Sequence, residues 1–87
     1  MLIKKETEYA ALSLIALTKK GNDDFHDVKM LAKEHQLSET LLAKAFQKLA
    51  VAGIVESKVG PGGGFRLMKS PKEISLWDIF EAIQMPN

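Results

Sequence analysis

The chain has 87 residues, with 12 Lys and Arg against 11 Asp and Glu, a net charge of +1 and 46% apolar residues, the composition of an ordinary globular domain with a modest core. It contains no cysteine, which excludes disulfides, thiolate metal sites, iron–sulfur ligation and a Cys nucleophile; no cofactor is expected in this chain, and the composition fits a reducing cytoplasm. No apolar run approaches the roughly 20 residues of a membrane span, and the first residues lack the basic-then-apolar order of a signal peptide.

Residues 5–20 read as a first helix. Tyr9, Leu12, Leu14, Ile15, Ala16 and Leu17 cover most of its circumference, so it is central or covered by a partner. Lys19 and Lys20 suit the negative end of the helix dipole, and Gly21 supplies a stop before the loop of residues 21–24. Residues 27–35 form a short second helix, with Val28, Leu31, Ala32 and His35 on one face. Gln36 and Leu37 make a tight turn, and Ser38 caps a third helix over 39–52 that buries Leu42, Ala45, Phe46 and Leu49. Helix, short turn and capped helix make a helix-turn-helix.

Beyond the third helix the pattern changes to β. Residues 54–59 and 65–68 are two strands joined by the turn Gly60-Pro61-Gly62-Gly63-Gly64, a hairpin. The fold class is therefore mainly α with a small β-hairpin, a winged helix-turn-helix, with the recognition helix at 39–52 and the wing at 54–68 of one domain over 1–87. Pro71 breaks the chain. Ser75 caps a fourth helix with Asp78 in the capping-box position, and Leu76, Ile79, Phe80 and Ile83 line its inner face until Pro86 ends it. Trp77 is expected to pack against the wing or the first helix.

The small net charge hides an uneven distribution. Residues 1–40 sum to −1, residues 41–72 to +5 and residues 73–87 to −3. A basic segment that coincides with a helix-turn-helix and its wing points to a polyanion. With Leu42, Phe46 and Leu49 inward, the third helix presents Thr40, Ala43, Lys44, Gln47, Lys48 and Val51. Lys44 and Lys48 suit guanine acceptors or phosphates, Gln47 suits adenine, and Thr40 reaches a phosphate or base. In the wing, Gly60, Pro61, Gly62, Gly63 and Gly64 expose backbone amides for close approach to a phosphate or minor groove, flanked by Lys58 and Arg66. With Ser38 at the start of the helix, these residues are the expected DNA-binding set.

Other chemistry finds no constellation. The glycine turn lacks the Gly-Lys-Ser/Thr ending of a nucleotide loop and does not lead into a helix. His26 and His35 have acids nearby in sequence but no close metal-ligand spacing, and no serine is paired with a His and an acid in a known motif. No enzyme is expected.

The segment from Gly53 through Leu67, with its Gly60-Pro61-Gly62-Gly63-Gly64-Phe65 turn, resembles the wing signature of the Rrf2 family. These are bacterial winged-helix regulators that include the iron–sulfur cluster regulator, the nitric-oxide-sensing repressor and the cysteine-metabolism repressor. Tyr9-Ala10, residues 37–42, residues 71–76 and residues 78–83 also resemble that family. The resemblance implies a homodimeric repressor on a palindromic promoter site, with one recognition helix per subunit in the major groove and the wing in the minor groove. Three departures stand out. The family's long dimerisation helix and its sensing part, with three cysteines in the cluster-binding branch, are absent from this chain, so weaker dimerisation is expected. Val59 stands where Arg is common, and Ala43 where some members carry an acid. The alternative expectation is a winged helix used for protein contact through the wing or Trp77, without DNA binding.

Overall fold

The computed structural model describes residues 4–20 and 24–84. The expected Gly21 stop, the loop positions 21–23 and the Pro86 terminator lie outside the described residues. Four helices and a hairpin follow the expected order: α1 (Lys5–Lys20), α2 (Val28–His35), α3 (Glu39–Val51), β1 (Val55–Lys58), β2 (Gly64–Leu67) and α4 (Leu76–Gln84). No described helix is long and apolar enough to cross a membrane.

The helix boundaries follow from their caps. Glu6 and Glu8 begin α1, and Lys19 and Lys20 end it, both matched to the dipole. The Asp27 carboxylate accepts from the Met30 amide at the start of α2. That helix closes when Gln36 turns left-handed, at φ 56°, and the Leu37 amide donates to the Ala32 carbonyl at 2.8 Å. Ser38 Oγ then accepts from the Leu41 amide at 3.2 Å and opens α3. Ser70 and Glu73 form a capping box around a 3-10 turn, Pro71–Glu73, and Ser75 and Asp78 form another ahead of α4.

The core lies where α1, α3 and α4 meet. Leu17, Leu42, Phe46 and Leu49 are fully buried there, and Leu31 of α2 with Ile54 and Val55 at the start of the hairpin extend the same core. In α3 the inward face is Leu42, Ala45, Phe46 and Leu49, as the periodicity requires. The hairpin closes one side of this core. Val55 and Leu67 point inward, and the Phe65 ring stacks on Phe46 at 4.7 Å between centroids, the rings nearly parallel.

Two expectations about α4 are corrected. Leu76 is 65% exposed and Trp77 68% exposed, so neither packs inward. Ile79, Ala82 and Ile83, spaced three and four apart, meet the core, and Phe80 is half-buried. Leu76 and Trp77 lie one turn earlier, at the very start of α4. The strands are also displaced by one residue at their ends: β1 stops at Lys58, and β2 begins at Gly64 because Gly64 pairs with Lys58.

The hairpin carries a third short partner. His26 bridges antiparallel to Phe65, its amide donating to the Phe65 carbonyl at 2.8 Å and its carbonyl accepting from the Phe65 amide at 2.9 Å. The segment before α2 thus adds an edge to β2, and it fixes the wing against the helix-turn-helix.

Candidate nucleic-acid interface

The recognition helix is held from behind at three points. Tyr9 of α1 is buried, and its phenol oxygen accepts from the Ser38 amide at 3.0 Å, the residue that also caps α3. Phe46 is locked by Phe65 of the wing. On the α1 side, Lys48 Nζ donates to Glu6 Oε2 at 2.6 Å and to the Ile83 carbonyl at 3.4 Å. One ammonium therefore ties α1, α3 and the last turn of α4 together. The hydrogen bond from Lys48, and then its charge, hold the Glu6 carboxyl below the ordinary carboxylate range.

These ties determine what the helix presents. Thr40, Lys44, Gln47 and Val51 recur at four, three and four residues, and all four are exposed. They form one row directly opposite the buried face. Ala43 is half-buried at the edge of that row. Ser38 is exposed at the head of the helix, although its hydroxyl already accepts from Leu41. Lys44, Gln47 and Val51 line a shallow hollow of about 330 Å³ together with Glu6 and Lys48. Lys48, expected in the same presenting row, sits to one side of it, engaged with an acid of its own chain. Lys44 makes no ion pair among the described residues.

The wing is built by backbone geometry. Gly60 to Gly63 form a tight turn in which the Gly63 amide donates to the Gly60 carbonyl at 2.9 Å. Pro61 and Gly62 are its central pair, and Gly62 at φ 75° marks it as type II. Gly64 has a different task. A Cβ there would overlap the His26 carbonyl and stand 2.8 Å from the Asp27 amide nitrogen. The third edge can dock on β2 only because that side chain is missing. Gly60, Pro61 and Gly62 at the tip are exposed, as is Val59 at 94%.

Glu56, Lys58 and Arg66 share the outward face of the hairpin, because Glu56 pairs with Arg66 and Lys58 with Gly64 in the register. Arg66 Nε donates to Glu56 Oε1 at 2.7 Å. Its guanidinium also lies 4.3 Å from the centre of the Phe25 ring, and Lys58 Nζ lies 5.6 Å from the same ring. Phe25 and Glu6 are contributors that motif reading did not single out, and Tyr9, singled out as an apolar position of the first helix and within the Tyr9-Ala10 resemblance, acts here through its phenol oxygen. Each acts through a partner distant in sequence, which no local pattern signals.

A profile of the Rrf2 family, described as an iron-dependent transcriptional regulator, matches residues 3–87. The chain has no cysteine, and among the described residues no three His, Asp or Glu side chains stand close enough to share a metal ion. A putative HTH-type transcriptional regulator of Aquifex aeolicus is 38% identical over 81 residues, covering 93% of this chain and 56% of that protein. The HTH-type transcriptional regulator IscR of Cereibacter sphaeroides is 31% identical over 86 residues, covering 97% and 56%. The chain thus spans 56% of the length of these two relatives. The structure of CymR, the global cysteine regulator of B. subtilis, superposes with a TM-score of 0.87 at 30% identity, over 99% of this chain and 67% of that one. These relatives are named as regulators and not as enzymes. In sequence over nearly its whole length, and in the winged helix-turn-helix that this sequence builds, the chain belongs to the Rrf2 family of transcription regulators.

Proposed function

We propose that this chain is the DNA-binding module of a bacterial transcription repressor, acting by occupancy of a promoter site. One observation carries the reading: the row Thr40, Lys44, Gln47 and Val51 stands clear of the core on a capped helix that is anchored from behind at both ends. Such a helix enters a major groove with its N-terminal part leading. Thr40 and Gln47 offer hydrogen bonds to base edges, and Lys44 a cation for a guanine or phosphate. The wing brings Lys58 and the tip amides to the adjacent backbone or minor groove. Affinity comes from counterions released by the lysines, and base choice from the helix row. No cofactor enters this contact. Two copies, centred about one DNA turn or 34 Å apart, read a palindromic site as a homodimer.

Selection of bound duplexes from a random pool tests the reading. A recovered palindrome supports it, and an empty selection at low salt with the chain folded overturns it. The charge reversal that checks it belongs at Lys44 and Lys58. Lys48→Glu would set two carboxylates against each other at Glu6 and disturb the fold instead.

The exposed pair Leu76 and Trp77 supports a second reading, in which the module contacts protein through the first turn of α4. Reversal at Lys44 and Lys58 separates the two, since it removes DNA binding and leaves a contact at Trp77 in place.

A further inference from the structure

We propose that Phe25, in the segment before α2, is a positioning residue that holds Lys58 and Arg66 as a paired cationic clamp on the outward face of the wing. The inference rests on the DNA-binding reading and specifies how the wing meets the phosphates.

The sheet register places the three side chains together. His26 pairs with Phe65, so its neighbour Phe25 falls opposite Arg66, and Arg66 falls opposite Glu56. The row Phe25, Arg66, Glu56 crosses all three edges of the small sheet, with Lys58 two residues along β1. The Arg66 guanidinium lies 4.3 Å from the ring centre and the Lys58 ammonium 5.6 Å, both within range of attraction by the ring quadrupole. Two cations so close repel each other. The ring draws both, and Glu56 offsets the charge of one of them.

Lys58 is the last residue of β1, directly before the wing tip. Unsupported, its four-carbon side chain sweeps solvent and must be ordered each time it meets a phosphate. Held against Phe25, it already lies in the groove beside Gly62 of the tip. The groove at this spot, about 540 Å³ and lined by Asp24, Phe25, Lys58, Gly62 and Arg66 among others, stays open for a phosphate strand. Phe25 itself needs no contact with DNA.

The test measures binding of a short fluorescent duplex of mixed sequence at low salt, where phosphate contacts dominate, for the wild-type chain, Phe25→Leu, Phe25→Tyr, Lys58→Ala and the double variant Phe25→Leu/Lys58→Ala. Leucine keeps an apolar side chain and removes the quadrupole. Phe25→Leu is expected to bind roughly 2- to 12-fold more weakly, the cost of ordering the one long side chain, Lys58, that the ring no longer holds, since Glu56 still holds Arg66. Phe25→Tyr keeps the ring and binds as wild type. In the Lys58→Ala background most of the Phe25→Leu loss disappears, which a merely structural role would not produce, and melting curves confirm that each variant is folded. Undiminished binding by Phe25→Leu, or an equal loss in both backgrounds, overturns the proposal while leaving the DNA reading intact. A wild-type chain that binds no duplex overturns the DNA reading, and this proposal with it.

Discussion

Gly64→Ala is the sharpest perturbation of the wing. The added Cβ overlaps the His26 carbonyl, so the segment before α2 must leave β2. Two hydrogen bonds go with it, those between the His26 and Phe65 backbones at 2.8 and 2.9 Å, a loss of about 1–3 kcal/mol. Gly64 also sits at φ 133°, where an alanine carries strain of about 1–3 kcal/mol. The total, roughly 2–6 kcal/mol, compares with about 4–13 kcal/mol for the whole stability of a domain this size. Gly62→Ala is the control. It too has a positive φ, 75°, but a Cβ there meets open space, so only the strain of about 1–2 kcal/mol applies. Thermal unfolding followed by circular dichroism should place Gly64→Ala at least about 8 °C below wild type. Amide exchange at His26 and Phe65 should quicken in Gly64→Ala alone. If Gly64→Ala melts no lower than Gly62→Ala, the close approach of the third edge is not what this glycine serves.

Tyr9→Phe removes the acceptor for the Ser38 amide; it should cost about 0.5–1.5 kcal/mol in urea unfolding and speed exchange of that amide at the head of the recognition helix. Phe46→Ala empties the fully buried site stacked on Phe65 and should cost about 3–5 kcal/mol by the same measurement. The carboxyls of Glu6, held down by the Lys48 hydrogen bond, Glu34, by Lys20, and Asp78, by the Ser75 amide and hydroxyl, all lie below their ordinary range. A lowered native pKa stabilises the fold where the carboxylate is ionised, so melting temperature should hold above the ordinary carboxylate pKa of about 4 and fall as pH drops through the lower native values. Glu6→Gln should reduce that fall, and its own deficit at neutral pH should vanish in acid. Val59→Arg, at a fully exposed position beside the wing tip, should tighten duplex binding and steepen the salt slope by about 0.9 for each additional phosphate neutralised, read from titrations across a salt series.

The elements legible in the sequence were those that local chemistry specifies. The Ser38 cap, the Leu42, Phe46 and Leu49 stripe, and the Ser75 and Asp78 box each depend on residues within one or two turns, so spacing alone locates them. The edge formed by His26 was not legible. One bridge residue has no alternation to read, and its partner lies 39 positions away at Phe65. Leu76 misled for a related reason: it fits the apolar period of α4, but a period states which residues share a face and not how much of the helix reaches the core. Gly64 was legible as part of a glycine-rich turn. The carbonyl that requires it was not.

The largest gap between sequence and structure concerns charge. Residues 41–72 sum to +5, but a sum along the chain assumes that neighbours in sequence are neighbours in space. Glu6, from the acidic first segment, meets Lys48 on the recognition helix, and Glu56 meets Arg66 across the hairpin. The field that remains beside the helix row centres on Lys44, between the uncharged Thr40 and Gln47, with Lys58 next to the wing tip. Under the proposed function, one copy then neutralises few phosphates, and each contributes only about 0.9 to the salt slope. Such a copy binds weakly at physiological salt. A second copy on the same duplex adds its own contacts, and linkage turns its binding into an intramolecular step with an effective concentration in the millimolar range. Under the proposed function, the electrostatics of the single module therefore favour binding as a pair, independently of any symmetry in the site. The two grounds are separable, because pairing for charge alone would tolerate half-sites of unlike sequence, whereas pairing for symmetry would not.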